Sequence, residues 1–370
     1  MPNNVRIAIL TLYYKNYNYG GQLQAYALQK TISNLGYECK QICFRRKRKE
    51  VLLRKLRALL RSSTIEKRKF LRRLLHFKMG EKKFDYKTIN SFEKWMNSIP
   101  HTEIVDSHSI KTLNKQFDIF VVGSDQVWNT EFVPYAFFLD FVDKEKKKIA
   151  YAASIRMQHY EKKEGRKIKK YLNDFDYISV RERKAIDILR EIGINKPIDI
   201  NIDPTMLLTR EQWDEIAIKP RIKGKYIFTY MISDHFQKEQ INCFAKEHDC
   251  KVVSVSNSKE TESIEDETYG NGPGEFVGLI KYADYVFVES FHGTAFSIIY
   301  GKKFLVYGEL EKDDRKKTIL EATGLLSRCI NRKTSYKDFV LTDEGIDKAQ
   351  DIVSNLRDES LKRLSDCLQR

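Results

Sequence analysis

The chain has 370 residues, a formal net charge of +15, and 42% hydrophobic and 12% aromatic content. That length suggests two domains, and the composition builds ordinary cores, which excludes wholesale disorder. No run approaches the ~18 uncharged apolar residues of a spanning helix, which excludes an integral helical membrane protein.

The first predicted element is an apolar strand over 5–12. Its core, Ile7 to Leu10, is too short for a secretory h-region and no small-residue cleavage site follows, so a cytoplasmic location is expected. In that compartment the six cysteines read as reduced thiols, and with no C-x-x-C neither a zinc nor a redox site is expected. A helix follows over 23–35 with Leu23, Ala27, Leu28, Ile32 and Leu35 on one face and Gly36 as its stop. A second strand spans 38–44, with Cys39 and Cys43 on one face.

From Arg45 to Lys83 the sequence holds 17 Lys/Arg and three acids, a net of +14, so the other 331 residues carry about +1. Apolar residues recur there at helical spacing (Val51, Leu52, Leu56, Leu59, Leu60; then Phe70, Leu71, Leu74, Leu75), with a break at Ser62-Ser63. A basic amphipathic segment suits an anionic membrane surface. The alternative is a helical pair packed on the body with a solvated basic face. Nucleic acid ranks last, because the segment has two Phe, one His and no binding-module motif.

Strands are then predicted over 117–122, 148–154 and 177–180 and a terminal stretch over 198–203, with helices over 160–175, 182–192 and 210–216. Charge and turn residues at 219–225 read as a linker. The pattern restarts with strands over 226–232, 251–256, 285–289 and 303–307 and helices over 235–248, 274–282, 294–300, 315–322 and 343–368; a polar loop fills 257–272. Alternation in both halves predicts an α/β chain with two parallel sheets. The expected division is an N-terminal domain over 1–218 carrying the insertion, the linker, a C-terminal domain over 226–342, and a final helix over 343–370.

In open parallel sheets ligands bind beyond the carboxyl ends of strands. After the first strand come Asn18, Gly20 and Gly21, where the backbone can approach a ligand or simply need positive φ. The glycines match neither G-x-G-x-x-G nor a P-loop. After the strand at 117–122 come Asp125, Trp128 and Asn129, which read as a sugar platform or as a capping Asp with a core Trp. Arg181 ends the strand at 177–180, placed to clamp a carboxylate or phosphate or to form a surface ion pair. Ser290-Phe291-His292-Gly293-Thr294 follows the strand at 285–289. Of seven histidines only His292 lies between a buried strand and a Gly-opened helix, where it could exchange a proton near neutral pH.

The stretches NYGGQLQAYALQKTISNLGYE, FDIFVVGSDQVWN, YAASI, ISVRE, NIDPTMLL, SFHGTAFSIIYGKKF and DDRKKTILEATGLLSR together resemble the polysaccharide pyruvyl transferase family. The resemblance implies two Rossmann-like domains in a GT-B-like arrangement. It implies transfer of the three-carbon unit of phosphoenolpyruvate to two hydroxyls of one sugar, with release of phosphate and no redox cofactor or metal. It puts the family's motif His on His292 and the Arg of S-x-R-[DE] on Arg181, and Arg315 fits the Arg ahead of the late helix motif. The amides of Gly293 and Thr294 are suited to the phosphate. Ser290 stands where some members carry an Arg suited to the donor, and Arg315 or Lys302 could substitute. Asn18, Gly20, Gly21, Asp125, Trp128 and Asn129 are left for the acceptor, a glycan or lipid-linked sugar met at the inner face of the cell membrane. The competing readings are a GT-B glycosyltransferase using a nucleotide sugar, with Glu309 or Glu311 for its ribose, and a non-enzymatic scaffold of a polysaccharide assembly complex.

Overall fold

The computed structural model describes residues 5–46, 86–131, 133–231, 236–255, 272–331, 334–338, 341, 343 and 345–369. All but Arg45 and Arg46 of the basic segment, and all but residue 272 of the loop expected over 257–272, lie outside them.

Two all-parallel sheets carry the chain. The first has β1 (Arg6–Leu10), β2 (Glu38–Gln41), β3 (Ile119–Val122), β4 (Lys147–Ala153), β5 (Tyr177–Val180) and β6 (Asp199–Ile200), in the spatial order β2-β1-β3-β4-β5-β6. The second has β7 (Tyr226–Tyr230), β8 (Lys251–Ser254), β9 (Tyr285–Val288), β10 (Lys303–Tyr307) and β11 (Cys329–Ile330), in the order β11-β10-β9-β7-β8. The runs IFVV and YIFTY are buried at every position, as expected of parallel strands covered on both faces. In each sheet the order reverses once, between β1 and β3 and between β7 and β9. Crevices open at such reversals; Asp125 follows β3 at the first and His292 follows β9 at the second, while Arg181 and Asp203 come from β5 and β6 further along the first sheet.

The helices are α1 (Tyr19–Asn34), α2 (Tyr86–Ser98), α3 (Lys162–Leu172), α4 (Arg183–Glu191), α5 (Arg210–Asp214), α6 (Phe236–Glu247), α7 (Pro273–Tyr282), α8 (Phe291–Ile299), α9 (Asp314–Ala322) and α10 (Ile346–Gln369). The sequence pattern gave no sign of α2, whose buried residues are only Thr88, Phe92 and Met96. Three further differences are local. α1 starts four residues earlier than expected, where the Asn18 side chain caps it by accepting from the Gly21 amide at 2.9 Å. β2 stops at Gln41, so Cys43 lies beyond it and packs with Tyr13 and Met96 while Cys39 packs against α1. α8 starts at Phe291 instead of 294, because Ser290 caps it through the Gly293 amide at 2.9 Å.

One apolar core runs between the sheets. Tyr19 of α1 stacks on Phe276 of α7 with ring centroids 4.7 Å apart, and Trp213 meets Phe296 of α8 at 4.8 Å. α10 crosses back to the first sheet. Near its start Gln350 donates to the carbonyls of Ile298 and Ile299 at 3.1 and 3.0 Å, and further along Ser360 accepts from the Ile202 amide at 3.2 Å. The last helix therefore belongs to both halves.

Candidate active site

At the carboxyl end of β5, Arg181 is 4% exposed and sits among three carboxylates. Its Nη2 donates to Asp125 Oδ1 at 2.7 Å, its Nη1 donates to Asp203 Oδ2, and its Nε lies 3.7 Å from Glu182 Oε2. Asp125 follows β3, and Asp203 follows β6 and caps a short 3-10 turn by accepting from the Thr205 amide at 2.9 Å. Glu182 accepts from the Ile155 amide at 2.7 Å and from Ser154 Oγ at 3.0 Å. Burial opposes the ionisation of Asp203, yet Arg181 and then His292 hold its carboxyl well below the usual carboxylate range. Burial also opposes that of Asp125, which Arg181, His292 and Arg315 nevertheless keep low. For Glu182 burial prevails and pushes the carboxyl up.

The second sheet contributes α8. The Phe291 ring lies 4.5 Å from the Arg181 guanidinium carbon, a cation–π contact across the two halves. His292 is 6% exposed; its Nε2 makes no hydrogen bond and stands 3.7 Å from Asp203 Oδ1. Its other nitrogen faces Gly20 of α1, and a Cβ placed on Gly20 would fall 1.9 Å from Nδ1. Gly20 is a glycine because the imidazole occupies the place of a side chain.

Arg315 of α9 holds Asp313 with two hydrogen bonds of 2.9 Å and lies 3.6 Å from Asp125. α9 meets α4 across the cleft, where the Lys184 amide donates to Asp314 at 2.9 Å and Arg183 to Glu321 at 2.7 Å. Two chambers of about 160 and 250 Å³ open here, and Arg156, Lys312 and Asp313 line both. Lys316 reaches the larger one from below, donating to the carbonyls of Glu289 and Tyr307 at 2.9 and 3.1 Å.

The structure thus brings together His292, Arg181, Asp125, Gly20 and Arg315, and it corrects several expected roles. Arg181 is no surface ion pair. The amides of Gly293 and Thr294 are taken by the Ser290 side chain and carbonyl, and Ser290 itself serves as a cap. Gly21 likewise gives its amide to the Asn18 side chain. Lys302 points away, donating to the Lys281 carbonyl at 2.8 Å. Trp128 offers no ring face to a sugar: it is wholly buried, stacked on Phe138, and its indole N–H donates to the Phe137 carbonyl at 3.1 Å. Asn129 is 2% exposed and accepts from the Glu131 amide at 3.2 Å. Asp203, Glu182 and Arg156 escaped the sequence reading. For Asp203 the signal was present as an Asp-Pro-Thr cap directly after a strand end.

The family is decided by the match of a polysaccharide pyruvyl transferase model to residues 18–309, most of the chain and all of the site except Lys312, Asp313 and α9. The chain belongs to the polysaccharide pyruvyl transferase family. It is a transferase of polysaccharide biosynthesis. No curated protein matches it. Among solved structures it is similar in fold to a putative UDP-N-acetylglucosamine 2-epimerase from Listeria monocytogenes, with a TM-score of 0.53 and 11% identity over 98% of this chain and 91% of that one. It is also similar to the UDP-GlcNAc 2-epimerase from Neisseria meningitidis bound to UDP-GlcNAc, with a TM-score of 0.52 and 10% identity over 99% and 100% of the two chains. At such identities the likeness shows the fold, a GT-B-like pair of Rossmann-like domains, and not the reaction.

Proposed function

We propose that this pyruvyl transferase uses phosphoenolpyruvate as donor and forms a cyclic pyruvate ketal on two hydroxyls of one sugar, with His292 as the proton-transfer group. The observation that carries the reading is the His292–Asp203 pair. A nearly buried imidazole at the start of α8 stands beside a carboxylate of the first half that stays ionised.

The chemistry needs one proton given and one taken. His292 gives a proton to the methylene carbon, and the charge that develops at the adjacent carbon is met by the first sugar hydroxyl. The carbon–oxygen bond to phosphate then breaks, and the second hydroxyl closes the ketal. Of the two hydroxyl protons, one restores His292 and the other leaves on phosphate, so the cycle is balanced and redox-neutral. Asp203 supports the imidazolium, while Asp125 and Glu182 hold Arg181 in place.

The acceptor in this reading is a lipid-linked sugar at the inner face of the cell membrane, approached through the basic segment over 45–83, whose charge of +14 favours anionic bilayers at about 1 kcal/mol per residue near the surface. Among the described residues no helix is long and apolar enough to cross a membrane. Incubation with phosphoenolpyruvate or UDP-sugars and a glycan acceptor tests the reaction. Phosphate release with a product heavier by one pyruvyl unit is expected. UDP release instead would make the protein a glycosyltransferase.

A further inference from the structure

Three arginines gather around Asp125, and two are committed to carboxylates: Arg181 to Asp125 and Asp203, Arg315 to Asp313. The third, Arg156, follows the strand end of β4 and lines both chambers. It is exposed, and among the described residues no hydrogen bond or ion pair engages its guanidinium. The anions in its field are Asp313 and Asp125, each already held by another arginine. Its backbone is left-handed, with φ 48°, a conformation that a long side chain adopts at a cost and that clusters at functional sites.

We propose that Arg156 is the anion-binding arm of this cleft, closing its guanidinium on the phosphate or carboxylate of a small phosphorylated substrate. Two parallel N–H donors match either group, and a side chain with no partner to give up loses no existing hydrogen bond on binding. Lys312 lines the same two chambers but is paired with Glu309, which leaves Arg156 the uncommitted one of the two cations that line both. Only the identity of the substrate, phosphoenolpyruvate, rests on the proposed function.

Calorimetry with inorganic phosphate and with phosphoenolpyruvate, on the wild type and on Arg156→Gly and Arg156→Lys, tests this. Glycine accepts positive φ, so Arg156→Gly should unfold at the same temperature or higher. Wild type should bind both anions, and Arg156→Gly should bind each roughly tenfold or more weakly. Arg156→Lys should recover part of the loss, since it keeps the charge without the fork. In turnover, KM for phosphoenolpyruvate should rise while kcat changes little. Equal affinity in wild type and Arg156→Gly overturns the assignment, as does a wild type that binds neither anion. Binding of phosphate through Arg156 without any turnover of phosphoenolpyruvate would sink the pyruvyl reading and leave the anion arm standing. Turnover with a KM indifferent to Arg156 would do the reverse.

Discussion

Asp203 Oδ1 lies 3.7 Å from His292 Nε2 although the two residues follow strands of different sheets. Asp203 also holds Arg181, so one wholly desolvated carboxylate stands between a guanidinium and an imidazole. Asp203→Asn should cost about 3–5 kcal/mol of stability at pH 7, the usual effect of breaking a buried pair. It should slow turnover roughly 10²-fold or more by withdrawing support from the imidazolium. The pH dependence has a definite sign. The folded carboxyl is depressed, so its contribution is complete above the unfolded value of about 3.9 and fades as pH falls below it. The stability gap between wild type and Asp203→Asn should therefore narrow on acidification below about pH 4. Urea titrations at several pH values check this; a gap independent of pH would deny the ionised role.

Gly20→Ala is the most conservative change that touches the site. Inside a helix alanine is ordinarily favoured by about 1 kcal/mol. Here its Cβ would fall 1.9 Å from His292 Nδ1, so the imidazole or the helix must move. A loss of stability together with a fall in kcat is expected, read by thermal unfolding and phosphate release. A stabilised and fully active variant would show that His292 does not pack on α1.

Trp128 fills core rather than touching substrate. Trp128→Ala should destabilise by about 3–5 kcal/mol. Trp128→Phe should lose less, chiefly the bond to the Phe137 carbonyl, and should keep the acceptor KM of the wild type. A raised acceptor KM in a well-folded Trp128→Phe protein would restore the sugar-platform reading.

The basic segment makes a salt-dependent expectation. Binding to anionic vesicles should weaken steeply as the Debye length falls from about 10 Å at 0.1 M to about 3 Å at 1 M. Reversing the charge of Lys47, Arg48, Lys49 and Arg54 should abolish co-sedimentation. It should slow turnover on a lipid-linked acceptor and spare a short soluble one. Undiminished sedimentation, or equal damage with both acceptors, would favour a segment packed on the body.

Strand and helix alternation was legible because buried parallel strands read as apolar runs, and His292 and Arg181 stood out as polar residues at the ends of such runs. What stayed hidden were relations between distant segments. A Trp just past a strand looks the same whether it turns outward to a sugar or inward to Phe138. Gly20 and Gly21 form one dipeptide, yet only Gly20 faces the imidazole. Nothing local to Arg156 marks a left-handed backbone, and its importance appears only once Arg181 and Arg315 are seen to be occupied. The two amides expected for phosphate were lost to Ser290, a capping preference that the sequence did carry.

α10 gives the site a built-in measure. Gln350 grips the carbonyls that end α8, the helix opening at His292, and Ser360 grips the amide of Ile202, one residue before Asp203. Ten residues of helix, about 15 Å at 1.5 Å per residue, separate the two grips. The spacing of imidazole and carboxylate is thus referenced to a rigid rod outside the cleft, and a one-residue deletion in that rod would rotate and shorten it between its anchor points. Such a lesion, far from any substrate, would detune the pair while both sheets kept their folds.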